Sequence, residues 1–319
     1  MARRPEIEVT ASQSGVPGVV LRGTGGVWVV RIADGSEHDA MLRGRLKQSA
    51  ALKLAVGDEV SVAPAEKGGG DLWTIEQIAP RRSVLARRAP GGRVGERVVA
   101  ANVDQVVVVF AVRHPDPHRR MIDRCLTIAE GNGLRAELVI NKIDLVDRES
   151  AEASLHDYAA AGYRIHFTSA RTGVGLEALR ESLAGRTSAL AGPSGVGKSS
   201  LMNALYPGLD LRVGAISPSV DKGRHTTVGA WMHPLPDGGY VVDTPGLREV
   251  GLWGLPSEHL DACFPEIRPY LGSCQFRDCA HIAEPGCRVR EAVESGHVSR
   301  ERYDSYLKLR AEIAETERR

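Results

Sequence analysis

Apolar residues follow two different rhythms along this chain, and the change falls near residue 100. Before that point, short runs of alternating apolar and polar residues are separated by Gly and Asp, as in GVVLRGTGGVWVVRIADGS, VGDEVSV and DLWTIEQIAP. A period of two between turn residues is typical of half-buried strands. We therefore predict a small all-β barrel over residues 1–80, and the pattern leaves an OB-fold and an SH3-like barrel open.

After residue 100 the apolar runs become continuous and alternate with helical patterns. DQVVVVFAVR, RAELVINK and YRIHFTSA predict strands, whereas RRMIDRCLTIAEGNG, RESAEASLHDYAAAG and GLEALRESLAG predict helices. Buried strands that alternate with helices indicate a doubly wound α/β domain with a mostly parallel sheet. Ligands of such sheets bind at the carboxyl ends of the strands, so the residues there are the first candidates for chemistry.

A third change follows residue 250, where Pro, Gly, Cys and His cluster in FPEIRPYLGSCQFRDCAHIAEPGC. A final helix is predicted to carry one stripe formed by Tyr303, Tyr306, Leu307 and Arg310. We divide the chain into a barrel (1–80), a basic linker (81–99), an α/β domain (100–250) and a helical C-terminal domain (251–319).

Composition is that of a globular protein, with 42% hydrophobic and 25% charged residues among 319. The first residues lack the apolar core of a signal peptide, and the apolar run from Val106 to Val112 is too short to span a bilayer. Five cysteines are an odd number, so we expect a reducing, cytoplasmic compartment and no membrane partner.

Positive charge is local, because the net charge is only +1. The segment from Arg81 to Arg97 carries six arginines against one glutamate. A solvated linker and a contact with nucleic-acid phosphates are both compatible with this run beside a β-barrel.

The stretch SALAGPSGVGKSSLMNAL matches the phosphate-loop pattern Gly-x-x-x-x-Gly-Lys-Ser from Gly192 to Ser199. A predicted strand precedes it and a predicted helix follows. The glycines let backbone N–H groups face an anion at the helix N-terminus. Lys198 is expected to reach the β- and γ-phosphates and the Ser199 hydroxyl to bind Mg²⁺. A Gly-rich turn that matches by chance is the alternative.

NKID, from Asn141 to Asp144, follows an apolar strand and so falls on the same predicted edge. A carboxylate there accepts two hydrogen bonds from guanine, and adenine offers no matching pair of donors. An unmatched buried carboxylate is costly, so Asp144 is predicted to select guanine. Taken alone, a tetrapeptide of this kind would be interpreted as a surface turn.

YVVDTPG brings Asp243 to the end of another strand, where it can hold Mg²⁺ through water, and Gly246 lets a backbone N–H approach a γ-phosphate. GRHTT lies between the phosphate loop and this strand, where a switch threonine should ligate Mg²⁺. Either Thr226 or Thr227 fits this role. Together the motifs predict a GTPase.

These motifs resemble the translation-factor-related GTPases in rotated order, because NKID and TSA precede the phosphate loop. Such a circular permutation, with an N-terminal barrel and a Cys/His tail, is similar to the ribosome small-subunit-dependent GTPase A family (RsgA) over essentially the whole chain. The resemblance implies an OB-fold barrel and hydrolysis of GTP to GDP and phosphate that the small ribosomal subunit stimulates. It also implies a role late in that subunit's maturation, with ribosomal RNA binding and release of assembly factors. We expect a monomer whose partners are GTP, GDP, the small subunit and other assembly factors.

The expected GTP contacts fall in the base-reading, phosphate and switch motifs. They are Asn141, Lys142, Ile143, Asp144, Ser169, Ala170, Gly192, Pro193, Ser194, Gly195, Val196, Gly197, Lys198, Ser199, Ser200, Thr226, Thr227, Asp243 and Gly246.

Many GTPases orient the attacking water with a glutamine directly after the DxxG motif, and this chain has Leu247 there. We predict that His225 takes this role, as the family resemblance also suggests, although a solvent-facing loop histidine is the alternative. The family's triple threonine is Thr226-Thr227-Val228 here, so its last position departs from the family pattern. The magnesium ligands are expected to be Ser199 and Thr226, with Thr227 as the alternative to Thr226.

A structural zinc ion is predicted at Cys274, Cys279, His281 and Cys287. Three thiolates and one imidazole complete a tetrahedral shell and leave no catalytic position. The spacing is looser than in paired zinc knuckles, and it matches the zinc motif that the resemblance implies. We interpret Cys125 and Cys263 as buried thiols, with Cys263 the one substitute ligand.

Three other interpretations compete with this one. An RNA-binding scaffold that only senses GTP would not need an intact Lys198, Ser199 and Asp243. A guanylate-type nucleotide kinase shares the loop GPSGVGKSS but is disfavoured by NKID and DTPG. An ordinary signalling GTPase would lack both the barrel and the Cys/His tail.

Overall fold

The computed structural model describes residues 15–44, 46, 53–65, 71–88, 96–209, 211, 230–243 and 257–318. Four predicted site residues, His225, Thr226, Thr227 and Gly246, lie outside these ranges. Within them, no helix combines the length and apolar character needed to cross a membrane.

Five strands close the N-terminal barrel in the order β1-β2-β3-β5-β4, with β4 pairing back to β1. Strand β5 enters between β3 and β4 and runs parallel to β3, which gives a Greek-key barrel of the OB type. Alternate apolar side chains such as Val30 and Ile75 fill it. The predicted barrel is therefore confirmed. Its strands are β1 Val16–Thr24, β2 Val27–Ile32, β3 Glu37–Leu42, β4 Glu59–Pro64 and β5 Trp73–Ile78.

The segment predicted as a basic linker contains an antiparallel hairpin of β6 (Val84–Arg88) and β7 (Glu96–Ala101). Leu85 and Ala100 are fully buried in the core of the following domain. The many arginines of this segment indicated a linker and drew attention away from its few apolar positions. Those apolar residues attach the segment to the α/β domain.

The second domain is built on a six-stranded sheet with the order β10-β9-β8-β11-β13-β12. Among the described strands of this sheet, only β12 runs antiparallel to its neighbour. Every residue of β8 is buried, which explains its continuous apolar sequence. The strands are β8 Gln105–Ala111, β9 Arg135–Asn141, β10 Arg164–Phe167, β11 Arg186–Ala191, β12 Trp231–Pro234 and β13 Gly239–Asp243.

Helices cover both faces of this sheet, as predicted for a doubly wound domain. One expectation is wrong: RESAEASLHDYAAAG forms two short helices instead of one. Leu155 separates them with φ −122° and ψ 13° and is buried in the core. The helices are α1 Arg119–Gly131, α2 Arg148–Ser154, α3 His156–Ala160, α4 Leu176–Leu183 and α5 Lys198–Leu205.

The motifs come in a rotated order along the sequence, but the strands that carry them lie close together in the sheet. Strand β11, which leads into the phosphate loop, lies between β8 and β13, and β9 lies beyond β8. These four strands are parallel, so Asn141, Ala191 and Asp243 end their strands at the same edge of the sheet.

The C-terminal domain consists of short 3-10 helices followed by α6 (Arg288–Glu294) and α7 (Arg300–Glu317). Of the predicted stripe on the last helix, Tyr303 and Tyr306 are buried, and Leu309 and Ile313 complete the most buried face.

The domain docks on α1 through a buried arginine. Arg302 donates to Asp123 of α1 at 2.5 Å and to Glu266 at 2.7 Å. Its guanidinium also lies over the rings of Tyr158 and Phe264, at 5.1 and 4.7 Å. A charge this deeply buried is tolerated because both carboxylates pair with it.

Candidate nucleotide site and metal centre

The predicted phosphate loop runs from the end of β11 to the start of α5. Gly192, Gly195 and Gly197 all have positive φ, between +80° and +128°. A Cβ on Gly192 would lie 2.0 Å from the carbonyl oxygen of Val109, so the loop is seated directly on β8. This conformation needs glycine, and it produces the curled backbone that a phosphate-binding loop requires.

Lys198 begins α5 and turns back over the loop. Its Nζ donates to the carbonyl oxygens of Gly192 and Pro193, both at 2.7 Å. Ser199 and Ser200 follow in the first helical turn, and Ser194 lies within the loop. The ammonium group is thus held against the backbone of the loop whose bound phosphates it is expected to reach.

Asn141 connects the base-reading motif to the phosphate loop. Its Nδ2 donates to the carbonyl oxygen of Val196 at 3.0 Å, and its Oδ1 accepts from the Ala170 N–H at 3.2 Å. A Cβ on Gly197 would lie 2.6 Å from the same Nδ2. One buried side chain therefore joins three of the predicted motifs.

Lys142 adopts a left-handed backbone conformation, with φ 63°. Its Nζ donates to the Gly195 carbonyl oxygen at 2.8 Å and to that of His114. The lysine stem therefore bridges NKID and the phosphate loop. The next residue, Ile143, is buried and anchors the turn through its N–H, which donates to Thr168 at 3.0 Å.

Asp144 has a partner on each carboxylate oxygen. The Ser169 hydroxyl donates to Oδ1 at 2.5 Å, and the Arg171 guanidinium lies 2.8 Å from Oδ2. The hydrogen bond from Ser169, aided by Arg171, holds the pKa of Asp144 below its ordinary value. An ionised carboxylate is the form that accepts both guanine N–H groups.

Asp243 is the last residue of β13 and pairs in register with Leu190 of β11. It therefore lies at the end of the strand next to β11, and β11 leads directly into the phosphate loop that contains Lys198 and Ser199. The residues that would complete the γ-phosphate side lie outside the described ranges, so their geometry stays a prediction.

The four predicted zinc ligands converge in the C-terminal domain, where their donor atoms all lie within 4.8 Å of one another. His281 Nδ1 is 3.6 Å from Cys274 Sγ and 3.4 Å from Cys287 Sγ. In a tetrahedron with zinc-ligand bonds of about 2.0–2.3 Å, donor atoms lie roughly 3.5–3.8 Å apart. The donor set and its spacing therefore fit a zinc ion.

Neighbouring groups hold the cluster in shape. Asp261 Oδ2 lies 3.4 Å from His281 Nε2, which leaves Nδ1 facing the cysteines. Tyr303 donates to the His281 carbonyl oxygen at 2.6 Å. Glu284 accepts from the N–H groups of Ala280, Ile282 and Ala283 at 2.8–2.9 Å. Burial raises the pKa of Glu284, but these hydrogen bonds outweigh it and lower the value to about 2.

The two remaining cysteines are separate from the cluster. Cys263 is buried, and its thiol donates to the His259 carbonyl oxygen at 3.4 Å. Cys125 is buried in α1, where burial raises its thiol pKa to about 12. Sequence reasoning missed Asp261 and Arg171, because each lies about twenty or more residues from the side chain that it contacts. It also missed Glu284, which contacts neighbouring backbone N–H groups in a turn that no recognised motif marks.

Comparisons with known proteins agree with this arrangement. A family model described as RsgA GTPase matches residues 78–253. A small ribosomal subunit biogenesis GTPase RsgA from Gemmatimonas aurantiaca is 61% identical over 298 residues, which cover 93% of this chain and 97% of the relative. A protein of the same name from Moorella thermoacetica is 42% identical over 301 residues, with 94% and 98% covered.

Two solved structures share the fold over nearly their full length. The crystal structure of YjeQ from Thermotoga maritima matches with a TM-score of 0.77 and 36% identity, covering 94% of this chain and 98% of the other. The structure of YloQ, a circularly permuted GTPase, matches with a TM-score of 0.73 and 27% identity, covering 97% and 99%. The rotated order of strands is therefore a property of this fold.

Proposed function

Because the chain belongs to the RsgA GTPase family, we propose that it hydrolyses GTP to GDP and phosphate during biogenesis of the small ribosomal subunit. We propose further that the subunit stimulates hydrolysis, that the protein acts late in maturation as a cytoplasmic monomer, and that it contacts ribosomal RNA and releases assembly factors. Relatives that are 61% and 42% identical to this chain carry the corresponding name.

One observation carries the proposal. Asn141 joins NKID and TSA to the phosphate loop through hydrogen bonds to Val196 and Ala170. These hydrogen bonds support a single nucleotide site, because they link the motif proposed to read guanine and the loop proposed to hold the phosphates at one edge of the sheet.

The geometry suggests how these residues act on GTP. Asp144 would accept the guanine N1–H and exocyclic N–H, with Ser169 holding its Oδ1 in place. Lys198 would exchange the Gly192 and Pro193 carbonyl oxygens for phosphate oxygens. Because Leu247 cannot orient water, His225 is our candidate for that step.

Metal ions complete the proposal. Magnesium bound with GTP would be held by Ser199 and by Thr226 or Thr227, with Asp243 acting through water, and would neutralise phosphate charge. Zinc held by Cys274, Cys279, His281 and Cys287 would serve folding alone, because four protein ligands leave no open position.

The domain limits that go with this proposal are a barrel over 1–80, a basic segment over 81–99, a GTPase domain over 100–250 and a zinc-binding domain over 251–319. We propose that the barrel and the arginines between Arg81 and Arg97 supply RNA affinity that falls as salt rises.

The deciding experiment measures phosphate release from GTP and from ATP, with and without purified small ribosomal subunits. We expect slow basal turnover of GTP, a marked increase with small subunits, no increase with large subunits and no turnover of ATP. Lys198→Ala should remove both the basal and the subunit-stimulated turnover of GTP. Turnover that small subunits leave unchanged would contradict the ribosomal part of the proposal, and a lack of GTP turnover would leave only a GTP-sensing scaffold.

A further inference from the structure

Two successive residues of β1 point into different hydrophobic cores. Val20 is fully buried inside the barrel, whereas Leu21, 1% exposed, packs in the core of the α/β domain with Met232 of β12. The pairing of β1 with β2 shifts between Val20 and Arg22, so Leu21 is the extra residue of a β-bulge. Leu21 faces out of the barrel by the ordinary alternation of a strand, as does Val19, which packs against the same core.

The barrel is seated tightly at this contact. Strand β1 packs on β12, and the nearby barrel turn at Gly57 approaches the same strand. A Cβ on Gly57 would lie 3.0 Å from the Met232 side chain and 2.2 Å from the Ala101 carbonyl oxygen. The Asn102 side chain donates to the Gly57 carbonyl oxygen at 2.9 Å. Barrel and β12 are therefore in direct, well-packed contact.

Arg22 extends this contact to the surface. Its guanidinium carbon lies 5.6 Å from the ring centroid of Trp231, the first residue of β12, and its Nη2 lies 3.7 Å from Glu37. The indole is 52% exposed, which is unusual for so large an apolar side chain. Arg22 of the barrel lies against this indole.

Trp231 is also placed at the base of both switch motifs. It pairs in register with Asp243, at the end of the β12–β13 hairpin. Thr227 lies four residues before Trp231 in the sequence, and Thr244 directly follows Asp243. Any displacement of Trp231 therefore moves the point from which both segments begin.

We propose that Arg22 and Trp231 are positioning residues that couple the barrel to GTP hydrolysis. Docking of the barrel on the small subunit shifts β1, and the Leu21–Met232 and Arg22–Trp231 contacts pass that shift to the hairpin that carries the switch motifs. This inference rests on the proposed function and names the route by which the subunit stimulates it. The same contacts would also make the barrel's affinity for the subunit differ between the GDP and GTP forms, and that coupling of two binding equilibria is reciprocal.

The test uses the full chain with Arg22→Ala, and Arg43→Ala as the matched control. Both arginines lie on the outside of the barrel, with side chains 45% and 49% exposed and a glutamate partner each, but Arg43 pairs with Glu76 of the barrel itself. Turnover is measured over a range of small-subunit concentrations. Subunit affinity is measured for the GDP form and for the form with a non-hydrolysable GTP analogue.

For Arg22→Ala we expect unchanged basal turnover and GTP affinity, and a maximal stimulated rate about two- to five-fold lower, the range of an exposed cation–π contact. The ratio of subunit affinities between the two nucleotide forms should fall by a similar factor. Arg22→Lys should restore part of both, and Arg43→Ala should behave as wild type. Trp231→Leu should reproduce the loss, with no further loss when combined with Arg22→Ala.

An unchanged maximal stimulated rate in Arg22→Ala would overturn the inference while the proposed function stands. If the half-saturating subunit concentration were higher at that unchanged maximum, Arg22 would be an RNA contact only. If small subunits fail to stimulate the wild-type protein, the proposed function itself fails and the inference with it.

Discussion

The side-chain amide of Asn141 donates a hydrogen bond to the carbonyl oxygen of Val196, with 3.0 Å between the two atoms. Asn141 ends β9, and Val196 lies in the phosphate loop after β11, two strands away in the sheet. In the circularly permuted order, 55 residues separate the two. A single buried bond thus sets the distance between the parts expected to hold the base and the phosphates.

We expect Asn141→Ala to weaken binding of GDP and GTP alike, by roughly 10- to 100-fold, because it leaves the Val196 carbonyl and the Ala170 N–H without partners. Isothermal titration with each nucleotide measures the effect. Asn203→Ala is the control, since Asn203 also makes two backbone hydrogen bonds, to Leu211, but outside the site. Equal losses in both variants would show general destabilisation instead.

Asp144→Asn should lower GTP affinity at least about 100-fold and shift preference toward xanthosine triphosphate, because an amide reverses the hydrogen-bond pattern. Competition binding with both nucleotides reads the preference directly. Asp147→Asn changes a carboxylate that caps α2 and should leave selectivity as it is. Unchanged selectivity in Asp144→Asn would remove Asp144 from the base pocket.

His225→Ala should lower subunit-stimulated turnover by roughly 100-fold, the scale of a positioned group that acts on the attacking water. GTP affinity should stay unchanged, since the histidine is expected to contact the water and not the nucleotide. Single-turnover kinetics separates the two quantities. An exposed histidine elsewhere, His259, provides the control, and a variant at His225 that hydrolyses GTP as well as His259→Ala would assign the role to another group.

Elemental analysis should find about one zinc ion per chain. Cys279→Ala should lose it and make the C-terminal domain sensitive to protease, because metal binding and local folding are linked. Cys263→Ala removes a buried thiol outside the cluster and should keep the metal. A metal-free protein with a protease-resistant C-terminal domain would contradict the prediction.

Arg302→Ala should destabilise the protein by about 3–5 kcal/mol, because it leaves Asp123 and Glu266 buried without their cation. Urea unfolding followed by far-UV circular dichroism gives this free energy. The exposed Arg148–Glu152 pair is the comparison, and Arg148→Ala should cost less than about 1 kcal/mol. Similar losses in the two variants would mean that Arg302 contributes little to docking.

The sequence was most informative where chemistry requires particular residues at fixed spacing. The NKID, phosphate-loop and Cys/His motifs could be located because each is local, and each lies where a strand or a turn delivers it. Even so, the pattern did not indicate that Asn141 would bond to Val196, because that contact depends on strand order.

Features that arise from long-range packing stayed hidden. The parallel pairing of β3 with β5 distinguishes the OB barrel from an SH3-like one, and no local pattern encodes it. Leu155 looked like one more helical position, yet tertiary burial breaks the helix there. The bulge at Leu21 was equally invisible, because it depends on how β1 pairs with β2, and the burial of Leu21 depends on the neighbouring domain.

The central position of β8 has a consequence for how the chain is made. Strand β8 is buried throughout and pairs on one side with β9 and on the other with β11. A chain synthesised from its N-terminus completes β8 about eighty residues before β11 has been made. During that time the edge of β8 that pairs with β11 has no partner. An unpaired buried strand of this kind invites wrong pairings. When β11 arrives it fills that edge, and the phosphate loop follows it immediately in the sequence. The growing chain therefore gains its predicted phosphate loop directly after the strand that covers this edge of β8.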